Sequence, residues 1–291
     1  MPTPPDPRRD TRAILYPGQM RQWVTLERFP VGPQWVGILD WAWSVTWEVP
    51  PGESYAQDVL SLPAVNLSVG TTPPPGPNPP PGPYAVAPRV VGVASRRTTR
   101  VLSGSGWNVA VKTTVGGFGA LVNGSVAQWT DAEVPMEHVL PVDSAALGAE
   151  MARASTGAER AGHLLSALEP LLAQADQARI RTAREVAAIA EAATADPDLR
   201  LVGELAAYAG VSVRTLQRLF AEYAGISPAW MLRRLRLIEA AERVARGEEV
   251  RWADVAADLG YSDQAHLSRE FTAAVGATPS AYAVAQGRPR L

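Results

Sequence analysis

Arg214, Gln217 and Arg218 follow one another at intervals of three and one, which puts all three on one side of a helix. Their side chains are of the kinds that read base edges. A guanidinium can donate two hydrogen bonds to guanine O6 and N7, and a carboxamide can pair with adenine N6 and N7. Any solvent-facing helix can carry Arg and Gln, so this stretch alone decides nothing. However, the chain writes it twice. Residues 210–220 read GVSVRTLQRLF and residues 260–271 read GYSDQAHLSREF. Each runs from Gly-x-Ser to a Leu, an Arg two residues on and a Phe two after that. The glycines are 50 residues apart and the phenylalanines 51, so the second copy has one extra residue in its turn. There the outward positions are Ala265, Ser268, Arg269 and Thr272, with Gln264 and His266 flanking at the first turn.

Each copy predicts a pair of helices that would hold these side chains. In the first, Leu201, Val202, Leu205, Ala206 and Ala209 form the apolar stripe of a short helix. Gly210 supplies its exit and Ser212 can cap the next helix. Val213, Leu216, Leu219, Phe220 and Tyr223 then share the inward face. In the second copy Val255, Ala256 and Leu259 point inward, Gly260 ends the helix, and Ser262 and Asp263 can both cap the next, whose Leu267, Phe271 and Ala274 face the core. Between the copies, Ser227 and Pro228 open a helix of about 19 residues, roughly 28 Å long. Successive major-groove faces on one side of B-DNA lie about 34 Å apart. The spacing therefore predicts two reading heads in adjacent grooves, with Arg233, Arg234 and Arg236 on the linker at most touching phosphate.

The stretches LAAYAGVSVRTLQRLFAEYAGISPAWMLRRLRL and ADVAADLGYSDQAHLSREFTAAVGATPSAY resemble the AraC/XylS family of bacterial transcription regulators, over about 95 residues. The resemblance implies a seven-helix, two-headed domain whose partner is double-stranded DNA, with RNA polymerase as a further partner. By motif position, Arg214, Thr215, Gln217 and Arg218 would be carried by the first recognition helix, and Gln264, Ala265, His266 and Arg269 by the second. Ala265 could at most touch a thymine methyl. Upstream, YPGQMRQWVTLERFP, DWAWSVTWEVPPGE and VAVKTTVGGFGALV resemble the sensory domain that precedes this unit in some actinobacterial regulators. That resemblance carries no ligand with it.

The expected fold class is α+β: a mainly β effector domain over 1–142, a helical connector over 143–196, and an all-α double helix-turn-helix domain over 197–291. VVGVASRRTTRVL (90–102) and WNVAVKTTV (107–115) read as strands separated by SGSG. The Pro-rich TTPPPGPNPPPGP (71–83) reads as a solvated loop, with 73–83 dispensable. In the connector Leu164, Leu165, Leu168, Leu171 and Leu172 repeat at helical spacing. Residues 13–142 hold seven of the nine tryptophans. Trp41, Trp43 and Trp47 are separated by even numbers and share one face of a strand, either as sheet core or as the wall of a site for a small apolar or aromatic effector.

Several chemistries are excluded. There are no cysteines, so disulfides, thiolate metal sites, a cysteine nucleophile and alkyl transfer onto cysteine are absent. His138, His163 and His266 have no metal-ligand spacing, which leaves no metal and no cofactor. GSGWN (104–108) lacks the context of a nucleophile elbow, and VGGFG (115–119) is too short for a dinucleotide loop. No catalytic residue emerges, and the reading is not an enzyme. The net charge of −2, with twelve arginines against eleven acidic residues in 198–291, means that DNA binding must rest on placement rather than bulk charge. No apolar run approaches a membrane span, and the opening MPTPPDPRRDTR lacks a secretory pattern, so the expectation is a cytoplasmic monomer or homodimer without a membrane partner.

Overall fold

The two-residue period of LDWAWSVTWE makes β2 (Leu39–Glu48) a strand with two different faces, and that difference organises the N-terminal half. The computed structural model describes residues 14–73, 84–196, 198–245 and 251–286. Apart from Pro73, the expected loop at 73–83 lies outside them. After a single turn, α1 (Pro17–Met20), come β1 (Val24–Phe29), β2, β3 (Tyr55–Val59), β4 (Asn66–Gly70), β5 (Ala87–Val91), β6 (Thr98–Leu102), β7 (Ser105–Thr113) and β8 (Glu133–Pro135). Six strands form an antiparallel sheet in the order β1-β2-β7-β4-β5-β8, and β3 pairs with β6 in a separate two-stranded sheet.

One face of the large sheet is apolar. Ala42, Leu67, Val69, Val90, Val109 and Val111 are all fully buried. They are covered by α2 (Ser144–Arg153) and α3 (Gly157–Gln174), which bring down Leu147, Met151, Leu164 and Leu168. Thr156 starts α3 with a capping box: its hydroxyl accepts the Glu159 N–H at 3.1 Å, while the Glu159 carboxylate accepts the N–H of Thr156. The stretch expected as a connector thus supplies the sheet's cover. The opposite face carries Trp41, Trp43 and Trp47 and is roofed by β3 and β6.

The segment 90–102 departs from the continuous strand its composition predicts. β5 stops at Val91 because Gly92 passes against the 129–132 backbone, where a Cβ would lie 1.7 Å from the Trp129 carbonyl oxygen. Asp131 then fixes the bend by accepting the N–H and hydroxyl of Ser95, both at 2.6 Å. β6 resumes in the other sheet, so β6 and β7, although consecutive, do not pair and 103–106 closes no hairpin.

α4 (Gln177–Ala195) leads into α5 (Val202–Tyr208), α6 (Val213–Tyr223), α7 (Pro228–Ala245), α8 (Trp252–Asp258), α9 (Gln264–Val275) and α10 (Pro279–Ala285). The resemblance implies seven helices, and α4 is the seventh, packed on α5 and α6. Helix α7 divides its side chains between two cores. Met231 and Leu232 join Leu205, Leu216 and Phe220 in the core that continues through α4 to the sheet. Leu237, Ile238, Ala241 and Val244 join Val255, Leu259, Leu267 and Phe271.

The sheet's cover gives a direct stability prediction. Leu164 is fully buried against it, so Leu164→Ala should cost about 2–5 kcal/mol by losing transfer energy and leaving a cavity. Urea unfolding followed by tryptophan fluorescence measures this, and a loss below about 1 kcal/mol would mean that the helix is not seated on the sheet.

Candidate nucleic-acid interface and the cavity behind it

The two repeated stretches fold alike down to single hydrogen bonds. Gly210 and Gly260 take left-handed backbone, with φ of 66° and 70°, where a side chain would be strained. Beyond each, a 6→1 bond closes the helix: the Val211 N–H donates to Ala206 O at 3.0 Å, and the Tyr261 N–H to Ala256 O at 2.8 Å. The next helix is capped by Ser212, whose Oγ accepts the Thr215 N–H at 3.1 Å, and by Asp263, whose Oδ1 accepts the His266 N–H at 2.7 Å. Ser262, the other cap candidate, instead lies 3.2 Å from His266 Nδ1. The extra residue therefore sits in the turn, and the helices α6 and α9 stay in register.

Arg214, Gln217 and Arg218 are exposed on α6, and Gln264, Ala265 and Arg269 on α9. Thr215 and His266 are half-buried. The Thr215 hydroxyl is 2.9 Å from that of Ser212. The His266 ring stands edge-on to Tyr261 at 5.2 Å between centroids, and its Nε2 is 3.7 Å from Glu270. Inward, Leu216, Phe220, Leu267 and Phe271 are fully buried. Val213, which the spacing assigned to that inner stripe, is 41% exposed.

The linker arginines, expected at most to touch phosphate, differ in exposure. Only Arg233 is exposed. Arg234 is 4% exposed, donates to the carbonyls of Ala94 and Ser95 and lies 4.7 Å from the Trp230 ring centre. Burial pushes its pKa down to about 10. Arg236 donates to the Arg200 carbonyl. Both are used inside the protein because their stretch of α7 lies against other segments of the chain rather than in solvent.

The family comparison bears on residues 205–284, which match a model described as a helix-turn-helix domain. The C-terminal domain is of the AraC/XylS type. Residues 28–135 match a family described as a domain of unknown function (DUF6597). The transcriptional activator NphR of a Rhodococcus species is 30% identical over 168 residues, 57% of this chain and 46% of that protein. The HTH-type transcriptional activator RhaR of Yersinia pseudotuberculosis is 39% identical over 69 residues, 24% of this chain and 23% of that protein. The chain thus spans less than half the length of the curated relatives it matches. Both are transcriptional activators by name, not enzymes. Among solved structures, an AraC-type DNA-binding-domain regulator of Chromobacterium violaceum aligns at a TM-score of 0.32 and 25% identity, over 35% of this chain and 90% of that one.

Besides the Arg234 contact, the AraC-type domain rests on the N-terminal half in two further places that the sequence analysis missed. At α6, Gly119 abuts Tyr223 so closely that a Cβ would lie 2.5 Å from the ring. Arg179 of α4 ties this contact down, donating to Gly119 O at 2.9 Å, Gly124 O at 3.0 Å and Glu222 at 3.2 Å, with its guanidinium 4.8 Å from the Tyr223 ring centre. The Thr130 hydroxyl donates to Gly225 O at 2.6 Å. VGGFG, which fits no nucleotide loop, was the available signal. At α9 and α10 the contact is apolar: Leu15 and Leu60 enter the core of Phe271 and Tyr282, and the Tyr16 and Tyr282 rings are 5.2 Å apart.

Behind that second contact lies a cavity of about 260 Å³ between the large sheet and the β3–β6 roof. Trp41, Trp43 and Trp47 all line it, together with Met20, Leu26 and Val45. The indole N–H of Trp43 donates to Asn66 Oδ1 at 3.1 Å and that of Trp47 to Ser103 O at 3.4 Å. The roof alternates. Gln57, Val59, Thr98 and Arg100 line the cavity. Asp58, on the other side, accepts from Arg97 at 2.6 Å and from Thr99 at 2.5 Å. Among the described residues no group of three or more His, Asp or Glu could hold a metal ion, and no helix is long and apolar enough to cross a membrane.

The caps separate two similar residues. Asp263→Ala removes the acceptor of the His266 N–H and should cost about 0.5–2 kcal/mol with an unchanged denaturant slope. Ser262→Ala should stay within about 0.5 kcal/mol of wild type. Urea denaturation of both variants is the check, and the reverse order would place the cap at Ser262.

Proposed function

We propose that the chain is a sequence-specific DNA-binding transcription regulator that reads two adjacent major grooves and is controlled through its N-terminal half. The observation that carries this is the matched pair α6 and α9, which present Arg218 and Arg269 at equivalent exposed positions on equally capped helices joined by one 18-residue helix. At 1.5 Å per residue α7 is about 27 Å long, close to one turn of DNA. Its side chains belong to both cores, so the heads are fixed relative to each other.

In this reading Arg214, Thr215, Gln217 and Arg218 contact one groove and Gln264, Ala265, His266 and Arg269 the next, with direct base readout concentrated in Arg218 and Arg269. His266, held by Ser262 and Tyr261, serves the start of α9 more than it reads a base. Trp41, Trp43 and Trp47 form the floor of an effector site, in the cavity whose roof also touches the second head. A molecule lodged there would press on β3 and β6 from one side while Leu60 and Tyr16 meet α9 and α10 from the other. That supports control through the N-terminal half over the alternative, in which the domain only dimerises or binds another protein.

Selection of preferred sites from a random DNA pool tests the two heads. Arg218→Ala and Arg269→Ala should each relax preference at one base pair and cost about 1–3 kcal/mol. The two affected positions should lie about 10 base pairs apart. Arg233→Ala should weaken all sequences alike, with a salt slope lower by about one. If both head variants blur the same base pair, or only weaken binding, the two-headed reading fails.

A further inference from the structure

The equal caps put α6 and α9 in one register, with Val213 and Gln264 as their first residues. Position by position, the outward faces then compare as Arg214 with Ala265, Gln217 with Ser268, and Arg218 with Arg269. One arginine is common to both heads. The other two long polar side chains of α6 are replaced on α9 by a methyl and a hydroxymethyl. Ala265 is exposed and Ser268 half-buried. A turn further on stands Thr272, whose hydroxyl donates to the Ser268 carbonyl at 2.7 Å, so what it has left for a partner is its methyl group. Residues three and four apart are neighbours on a helix, and Ala265, Ser268 and Thr272 therefore make one strip of short side chains beside Arg269.

That strip changes how the helix can approach DNA. Arg214 and Gln217 hold α6 off the bases and read with extended arms. Ala265 ends at its Cβ, so it touches a base only where α9 itself comes close. It sits in the first turn, the end of a recognition helix that meets base edges. Of the four bases, thymine alone offers a methyl in the major groove. Cytosine would set an amino group against Ala265, and a purine its ring acceptor, with nothing there to bond either. One turn of helix, about 6 Å, separates Ala265 from Arg269, which is about two base pairs along DNA.

From this we infer that the second head selects a thymine, recognised through its 5-methyl group by Ala265, within two base pairs of the position that Arg269 reads. This rests on the two-headed reading and names what the second head reads. The two half-sites then differ in chemistry: hydrogen bonds to polar side chains in one, a methyl contact beside one arginine in the other. Such a site has a direction, and the chain binds it in one orientation.

The test starts from the site that the full chain selects from a random DNA pool, with its half-sites assigned by Arg218→Ala and Arg269→Ala. Each thymine is replaced singly by deoxyuridine, which removes the methyl and keeps every hydrogen-bonding group, and binding is followed by fluorescence anisotropy. One thymine within two base pairs of the position relaxed by Arg269→Ala should lose about fourfold in affinity, the worth of one buried methyl. Deoxyuridine in the half-site read by α6 should change affinity by less than about twofold. Ala265→Arg, which gives the second head the residue of the first, should bind the thymine and deoxyuridine sites alike. An effect of the methyl on duplex shape alone would persist in that variant. Thermal melts show whether it folds, and the comparison of the two half-sites in the wild-type chain tests the inference whether or not it does. If no thymine lies within reach of the Arg269 position, if deoxyuridine there is neutral, if both half-sites respond equally, or if the loss survives Ala265→Arg, the methyl contact is wrong and the two-headed reading stands. If Arg218→Ala and Arg269→Ala blur the same base pair, the two-headed reading fails and this inference with it.

Discussion

The arrangement depends on one helix serving two cores. α7 places Met231 and Leu232 with the first helix pair and Leu237, Ile238 and Val244 with the second. Neither pair is large enough to bury a core alone: α5 and α8 have seven residues each, and helices of that length have little stability without packing. Each is held by its partner and by its half of α7, so α6 and α9 are oriented by the same rigid element. The separation and mutual rotation of the heads are consequences of where apolar residues fall along 18 positions of sequence.

Arg234 links that helix to the β domain. Taking a guanidinium out of water costs several kcal/mol, and its lowered pKa expresses that cost. Bonds from a charged donor to the carbonyls of Ala94 and Ser95 return about 1.5–3 kcal/mol each. With Nη1 buried and without a hydrogen-bond partner, these bonds do not exceed that cost. What the contact adds is position: one guanidinium nitrogen reaches two successive carbonyls of a single backbone loop, itself fixed by Asp131. An apolar residue there would bury well but would leave two carbonyls unsatisfied.

Much of the helical third was legible because its signals are local. Gly210 and Gly260, the caps, and the period of Leu216, Phe220, Leu267 and Phe271 are each read within a few residues, and the repeat fixed the register of one copy against the other. The even spacing of Trp41, Trp43 and Trp47 likewise gave their common face. What sequence could not give was what that face meets, since the roof is built from β3 and β6, segments separated by β4 and β5 and paired out of chain order. The break at Gly92 was hidden for a related reason: the glycine answers to the Trp129 carbonyl, 37 residues away. Ser262 and Asp263 were indistinguishable as caps until geometry gave one of them the backbone N–H. Arg234 and Arg236 looked like surface charges because their partners, carbonyl oxygens of distant loops, have no side-chain identity to recognise.

The two heads meet the β domain through different physics. The first is held by hydrogen bonds, Arg179 to Gly119 and Gly124 and Thr130 to Gly225, each of which specifies a direction as well as a distance. The second is held mainly by Leu15, Leu60 and the tilted rings of Tyr16 and Tyr282, and apolar contact is non-directional. A small shift of the β3–β6 roof strains little at the second head beyond the Tyr282 bond to the Tyr16 backbone, whereas the same shift at the first head would forfeit several bonds at about 1–3 kcal/mol each. The cavity lies behind the contact that strains less. On the proposed reading, an effector would leave the first head's contact in place and loosen the second's, changing how the rigid two-headed unit sits on the β domain.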